Sequence, residues 1–304
     1  MATIHGGAFD DHLDGTPFAD TIVGGEGNDT VLGSSGNDLL FGDSGGHGPF
    51  GHSDHPSDFG NFGGGGGDDN ISGGSGNDTI LAGGGDNTVD GGSGNDWIHA
   101  SNGDNLIDAG TGNDSVYTGS GDNTISGGAG NDFIYSRGGN DDIDGGKGND
   151  TIVSGSGDDT VHGGSGNDHI LGGRGDNLLD GGSGNDTVIG GSGDQTISGG
   201  SGDDLLQAGR GNSVLTGGDG HDVFVFNGGG GQSVVMDFKV GEDILKVSHN
   251  INGLHLNSAS DLAARVIDQG GNAVIDLGHG DTLTLHGVKA DDVHHNPNAF
   301  FVIS

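Results

Sequence analysis

The stretch Gly42–Gly60, GDSGGHGPFGHSDHPSDFG, is dense in side chains that do chemistry. Ser44 stands in a glycine frame of the kind that presents a hydrolase nucleophile, and it satisfies G-x-S-x-G. His47, His52, His55, Asp54 and Asp58 follow, and imidazoles with carboxylates suit zinc, nickel or copper. The context favours neither. A nucleophile elbow needs a strand, a sharp turn and a helix, and these glycine- and proline-rich flanks offer no helix. Glycine-rich backbone also holds no ligand in place beforehand. Residues 42–63 therefore read as a surface loop. His47, His52 and His55 remain a minor transition-metal candidate, and no residue is assigned a catalytic role.

A second set of residues is spread wider and spaced more regularly. Aspartate recurs every 18 residues at Asp78, Asp96, Asp114, Asp132, Asp150, Asp168, Asp186, Asp204 and Asp222. Interleaved at the same spacing are Asp69, Asn87, Asn105, Asn123, Asp141, Asp159, Asn177, Gln195 and Ser213. Carboxylates beside glycine-rich turns, whose carbonyls are free, are the oxygen donors that calcium gathers six to eight at a time. An amide brings an oxygen but no charge. The all-aspartate row, with Asp29 and Asp38 of two earlier repeats assigned to it, is expected to form strong calcium sites. Asp69, Asp141 and Asp159 are expected to form weaker ones. In the mixed row the carboxylate often moves one place earlier, as at Asp86, Asp104, Asp122, Asp176 and Asp194.

Both rows belong to one repeat. From Gly64 to Val225 the chain runs as uninterrupted nonapeptides G-G-x-G-x-D-x-U-x, where U is large and apolar: Ile71, Ile80, Val89, Ile98 and so on to Phe224. Two more repeats begin at Gly24 and Gly33. Six glycine-rich residues make a turn, and three make a strand whose middle side chain points inward. Two such units close a coil of 18 residues, and stacked coils bury a thin aliphatic core that no single coil can bury alone. The expected fold is all-β: a parallel β-roll over 24–225, interrupted by the loop at 42–63. Residues 1–23 form a lead-in, and 226–304 a β-rich cap with a short helix at SASDLAARVIDQGG.

These repeats resemble the RTX, or hemolysin-type, calcium-binding repeat proteins, and among them the small stand-alone members exported by type I secretion. The resemblance implies a right-handed roll with calcium held between adjacent turns, and a chain that stays unfolded at low calcium and folds outside the cell. DVFVF and MDFKVGEDIL are similar to the family's C-terminal cap, and NAFFVIS at 298–304 looks like the uncleaved signal read by type I secretion systems. A Ser-x-Asn pattern (Ser75/Asn77, Ser93/Asn95, Thr111/Asn113, Ser165/Asn167, Ser183/Asn185) looks like the Thr-x-Asn array of an ice-binding RTX region, with Ser mostly replacing Thr and Ala129 and Lys147 interrupting it.

Composition excludes several other classes. With 74 glycines, 45 acidic and 8 basic residues, the formal charge is -37. Such a chain repels nucleic acid and anionic membranes and attracts cations. Without a neutralising ion its composition is that of a disordered chain. It has no cysteine, no apolar run of membrane-spanning length, and no Sec-type N-terminal signal. Outward strand positions also sort by sheet. Trp97, Tyr117, Phe133, Tyr135, Leu171 and Ile189 lie on one face, and Asp90, Asp108, Asp144 and Asp180 on the other. The first is a candidate contact face for a cell surface, an extracellular polysaccharide or a second copy. The reading is a secreted, extracellular protein that folds on Ca2+ and acts structurally or adhesively. The alternative is a non-catalytic calcium-binding module of a secreted polysaccharide-modifying enzyme.

Overall fold

The computed structural model describes residues 1–43, 66–229 and 231–304. The chain forms two compact units, Met1–Gly155 and Ser156–Ser304. Ser44, His47, His52, Asp54, His55 and Asp58 lie outside the described residues.

In the first unit, strands alternate between two parallel sheets. One sheet runs through Thr3–His5, Thr21–Gly25, Leu39–Asp43, Thr79–Gly83, Trp97–Ala100, Ser115–Thr118, Phe133–Tyr135 and Thr151–Val153. The other runs through His12–Asp14, Thr30–Leu32, Asn70–Ser75, Thr88–Ser93, Leu106–Asp108, Thr124–Ser126 and Asp142–Lys147. Pairing follows the repeat, so Val116 lies beside Ile98 and Ile134. Across the insertion, Leu40 pairs with Ile80 and Val31 with Ile71, so the strands on either side keep the phase of the repeat.

The roll starts earlier than the repeat motif alone places it. The lead-in contributes Thr3–His5 and His12–Asp14, which pair with Thr21–Gly25 and Thr30–Leu32. Its repeats are degenerate, with Phe9 and Phe18 where the motif has its fourth-position glycine, and both rings are exposed.

Each strand sends one side chain inward. Ile22, Leu40, Ile80, Ile98, Val116, Ile134 and Ile152 are fully buried from one sheet, and Val31, Ile71 and Ile143 from the other. Each such burial stabilises by about 1.5–3 kcal/mol, shared with the coils on either side. The turns need glycine where coils stack. Gly94 has φ +127°, and a Cβ there would lie 1.7 Å from the Gly76 carbonyl oxygen.

The second unit repeats the pattern. One sheet holds His169–Leu171, Thr187–Ser192, Leu205–Arg210, Val223–Phe226, Ile244–Val247 and the C-terminal strand Phe301–Ile303. The other holds Thr160–Ser165, Leu178–Ser183, Thr196–Ser201, Val214–Asp219, Gln232–Val235 and Asp281–Leu285, then turns antiparallel through Asn272–Gly278 and Val266–Gln269. The expected helix is shorter than its pattern. Ser258 caps Ala259–Ala263 in a capping box with Asp261, but VIDQ continues as a strand and Gly270–Gly271 makes a hairpin turn rather than a helix stop. The apolar cap core includes Phe224, Phe238 and Phe300, with successive ring centroids 6.1 and 5.7 Å apart.

Candidate metal centre along the turns

The sixth residue of each repeat ends its turn, and its side chain folds under the turn instead of into solvent. In the all-aspartate row, here row A, each carboxylate accepts the backbone N–H of the preceding coil's aspartate through Oδ1. The donors and acceptors run Asp38 to Asp78 at 2.7 Å, Asp78 to Asp96 at 2.8 Å, Asp96 to Asp114 at 2.7 Å and Asp114 to Asp132 at 2.8 Å. In the second unit they run Asp168 to Asp186 and Asp186 to Asp204, both at 2.8 Å, and Asp204 to Asp222 at 3.1 Å. Asp132 donates likewise to Asp150.

The second oxygen is different. Oδ2 of Asp38, Asp78, Asp96, Asp114 and Asp132, and of Asp186, Asp204 and Asp222, is buried and accepts no hydrogen bond. A buried oxygen of this kind costs about 1–3 kcal/mol, more when charged. At Asp38, Asp78, Asp96, Asp132, Asp186 and Asp204 it faces the first glycine of its own repeat and a carbonyl of the next coil. A Cβ on Gly73 would lie 2.6 Å from Asp78 Oδ2 and 2.5 Å from the Gly91 oxygen. On Gly127 it would lie 2.8 Å from Asp132 Oδ2 and 2.6 Å from the Gly145 oxygen. On Gly181 it would lie 2.6 Å from both Asp186 Oδ2 and the Gly199 oxygen. Glycine leaves that place open, and an all-oxygen, negatively charged set suits a hard divalent cation.

Burial pushes these carboxyls up, and at Asp38, Asp96, Asp132, Asp186 and Asp204 their neighbours in the row add to the rise. Asp96, Asp132 and Asp204 rise to about 7, and Asp38 and Asp186 to about 6. Asp78, Asp114 and Asp222 are also raised by burial. An ion-free row thus holds protons near neutrality, and a cation displaces them.

The row ends on carboxylates that protein groups satisfy. Asp20 accepts from Ala2 N–H through Oδ1, and from the Thr16 N–H and hydroxyl, both at 2.6 Å, through Oδ2. The Thr16 hydroxyl leads in lowering it to about 2. At the other end, Asp243 accepts from Asp222 N–H at 3.1 Å and from Lys239 N–H at 2.7 Å. The Lys239 ammonium reaches the Gly218 carbonyl at 2.5 Å, bringing a protein-borne cation to the last turn. Neither end was assigned from the sequence. Both fall outside the regular motif, although the 18-residue step back from Asp38 reaches Asp20.

One assignment is corrected. Asp29 does not belong to row A: its N–H donates to Asp69 Oδ1 at 2.8 Å, and its own Oδ1 accepts from Asp11 at 2.9 Å. The strands on either side of the insertion pair in the order of the repeat, so the alternation of edges passes across it unchanged. Asp29 precedes Asp69, as Asp38 precedes Asp78. Asp29 and Asp69 each carry a buried, unbonded Oδ2, and burial raises Asp69 to about 7. Asp43, the second residue of GDSGG, takes part here. It accepts from Gly84 N–H at 3.1 Å, and burial raises it to about 6.

Elsewhere in row B amides replace carboxylates. Asp69 donates to Asn87, and Asn87, Asn105, Asn123 and Asp141 continue the row. In the second unit Asp159 donates to Asn177 at 2.9 Å, and Gln195 donates through its side chain to the Gly175 oxygen at 2.7 Å. Among the described residues no three His, Cys, Asp or Glu side chains converge as a metal-holding cluster, so the row A places draw on backbone carbonyls as well as carboxylates.

The candidate contact face is a run of rings in the first unit. Tyr117 lies 5.8 Å from Trp97, 5.6 Å from Phe133 and 6.4 Å from Tyr135, centroid to centroid. Tyr135 is exposed and the other three are half-buried. Leu171 and Ile189 pair in the second unit, both half-buried.

These features define a parallel β-roll with stacked turn carboxylates facing glycine-lined carbonyls. The model of the RTX calcium-binding nonapeptide repeat matches in many overlapping copies, over residues 14–46 and, without a break, 63–232. The chain belongs to that family, and its repeats bind Ca2+. Among solved structures it is similar to a hyperactive, Ca2+-dependent, β-helical antifreeze protein from an Antarctic bacterium. Identity there is 20%, each chain is covered over 81%, and the TM-score is 0.52, a likeness of fold. The extracellular lipase LipA from Serratia marcescens matches at 18% identity over 71% of this chain and 40% of that one, with a TM-score of 0.27, and nothing is drawn from it. A comparison with curated protein sequences finds no match. No helix among the described residues is long and apolar enough to cross a membrane.

Proposed function

We propose that the protein is exported unfolded, folds around calcium outside the cell, and serves there as a structural and adhesive element. The observation that carries this reading is the row of buried, unbonded Oδ2 atoms at Asp38, Asp78, Asp96, Asp114, Asp132, Asp186, Asp204 and Asp222. With the carbonyls of Gly91, Gly145 and Gly199 beside them, these are the oxygens that would hold the ions. Bound calcium supplies the positive charge that lets consecutive carboxylates stack. Folding and binding then become one event, set by the calcium concentration of the compartment.

Export through a type I apparatus fits the C-terminus. NAFFVIS includes Phe301–Ile303, which pairs with Ile244–Val247 with Phe301 buried, so it is open to a transporter before folding rather than after. The contact surface in this reading is the aromatic strip of the first unit. Its outward residues Leu81, Trp97, Tyr117, Phe133, Tyr135 and Val153 carry no charge in a chain of net charge -37. A strip three residues, or about 10 Å, wide suits an uncharged polysaccharide better than a globular partner, which needs about 800 Å² per side. The test of the calcium reading is far-UV circular dichroism during a calcium titration. Cooperative gain of β signal at about 10⁻⁴–10⁻³ M, the range of extracellular modules, supports it. A chain equally folded in chelator at neutral pH contradicts it.

A further inference from the structure

We propose that in row B of the first unit the asparagine amides take the place of calcium, so that the turns from Asn87 to Asp141 hold no ion. The inference rests on the reading that row A binds calcium. It departs from the expectation, natural for a chain whose family motif matches both edges, that every turn does.

The amides close every bond that row A leaves open. Asn105 donates through Nδ2 to the Gly103 oxygen and to Asn123 Oδ1, both at 2.9 Å. Asn87 donates to the Gly85 oxygen at 3.2 Å and to Asn105 Oδ1 at 3.1 Å. Asn123 donates to the Gly121 oxygen at 2.8 Å and to Asp141 Oδ1 at 2.9 Å. Each NH₂ thus spends both hydrogens. Oδ1 of Asn105 and of Asn123 spends both lone pairs, because each also accepts the preceding backbone N–H, as Asn105 does from Asn87 at 3.1 Å. Asn87 Oδ1, at the start of the run, accepts the Asp69 N–H. A cation entering here would have to break two hydrogen bonds per coil and would gain no charge.

A second, independent feature points the same way. In row A the first residue of the repeat is glycine at Gly73, Gly91 and Gly127, and Ala109 is the exception in this unit's run. In row B that place belongs to Ala82, Ala100, Thr118 and Ser136, all buried. The place beside the sixth residue, open in row A, is therefore filled. Ser136 demonstrates the fit: its hydroxyl donates to Asp141 Oδ2 at 2.5 Å and accepts from the Thr118 hydroxyl at 2.9 Å. The row's one carboxylate in this stretch is satisfied by protein. The displaced acids, Asp86, Asp104 and Asp122, stand one residue earlier, where they are exposed to water.

The test counts bound calcium per chain by native mass spectrometry at saturating calcium, for the full chain and three variants. Asn105→Ala is expected to leave the count unchanged and Asp96→Asn to lower it. Ala100→Gly with Asn105→Asp, which rebuilds row A chemistry in row B, is expected to raise it. If Asn105→Ala lowers the count as Asp96→Asn does, row B binds calcium and the inference fails. If the double variant stays folded and gains no ion, the amides are not what keeps calcium out, and the inference fails. If Asp96→Asn changes nothing, the calcium reading of row A fails instead.

Discussion

Acid should partly replace calcium. In calcium-free buffer, lowering the pH from 8 to 4.5 neutralises the row A carboxyls while the chain is folded. Asp96 and Asp132 rise from 3.8 to about 7 on folding, chiefly through burial and then through their row neighbours. The folded state therefore holds protons that the unfolded chain releases. For groups raised in this way, the stabilisation is complete below the unfolded value of 3.8 and is lost as pH climbs through about 7. Each tenfold gain in proton affinity is worth about 1.4 kcal/mol, and screening at the turn rim reduces the whole to about 1–2 kcal/mol per carboxyl. Asp96 and Asp132 together contribute about 2–4 kcal/mol in the first unit, a large part of the net stability of about 5–15 kcal/mol typical of a domain. Asp20 works in the opposite sense, but it is lowered to about 2, so its stabilisation is lost only as the pH falls below this window. The assay is far-UV circular dichroism against pH in ion-exchanged buffer, repeated in millimolar calcium. Strong β signal at pH 4.5 that melts away between pH 6 and 8 without calcium, and persists at pH 8 with it, is the expected result. A calcium-free signal that is flat with pH, or grows toward pH 8, refutes the reasoning.

Three further outcomes follow from the same geometry. Asp96→Asn should stabilise the calcium-free chain at pH 8 by about 1–3 kcal/mol, because the new amide satisfies the buried oxygen's place, yet should weaken the calcium-bound form; an osmolyte titration in chelator and a urea melt in calcium read the two signs, and loss of stability in both conditions speaks against it. Gly94→Ala should abolish folding, since its Cβ meets the Gly76 carbonyl at φ +127°, whereas Gly84→Ala, with only the Asn102 oxygen at 3.8 Å, should be neutral or stabilise by about 0.4–1 kcal/mol; equal thermal midpoints for the two contradict the stacking account. Tyr117→Ser with Tyr135→Ser should leave calcium-induced folding intact and abolish retention on an uncharged polysaccharide column; unchanged retention removes the aromatic strip as the contact surface.

The fold was legible because its code is local. One apolar residue every nine, at Ile71, Ile80 and onward, fixes which side chain turns inward, and the glycine frame fixes where the chain bends. What escaped the motif lay where the pattern degenerates. His12–Asp14 pairs like any other strand, but Phe9 stands in its turn in place of glycine, so the repeat is masked by one residue. The misplacement of Asp29 came from counting edges across an insertion whose effect on phase is visible only in pairing. Gly270 and Gly271 look like a helix stop in sequence and are a hairpin turn in the fold, because Val266–Gln269 finds a strand partner in Asn272–Gly278 that outweighs local helix propensity. The contrast between the rows was visible as composition. That the amide hydrogens close the ladder, and that Ser136 seals its end, depends on distances no spacing rule supplies.

The most direct test is a crystal structure grown in calcium, with anomalous scattering recorded at long wavelength. The account predicts calcium peaks between consecutive carboxylates of row A, at Asp78, Asp96, Asp114 and Asp132, and none along Asn87, Asn105 and Asn123. Peaks of equal height on both rows, or none beside the row A carboxylates, would contradict it.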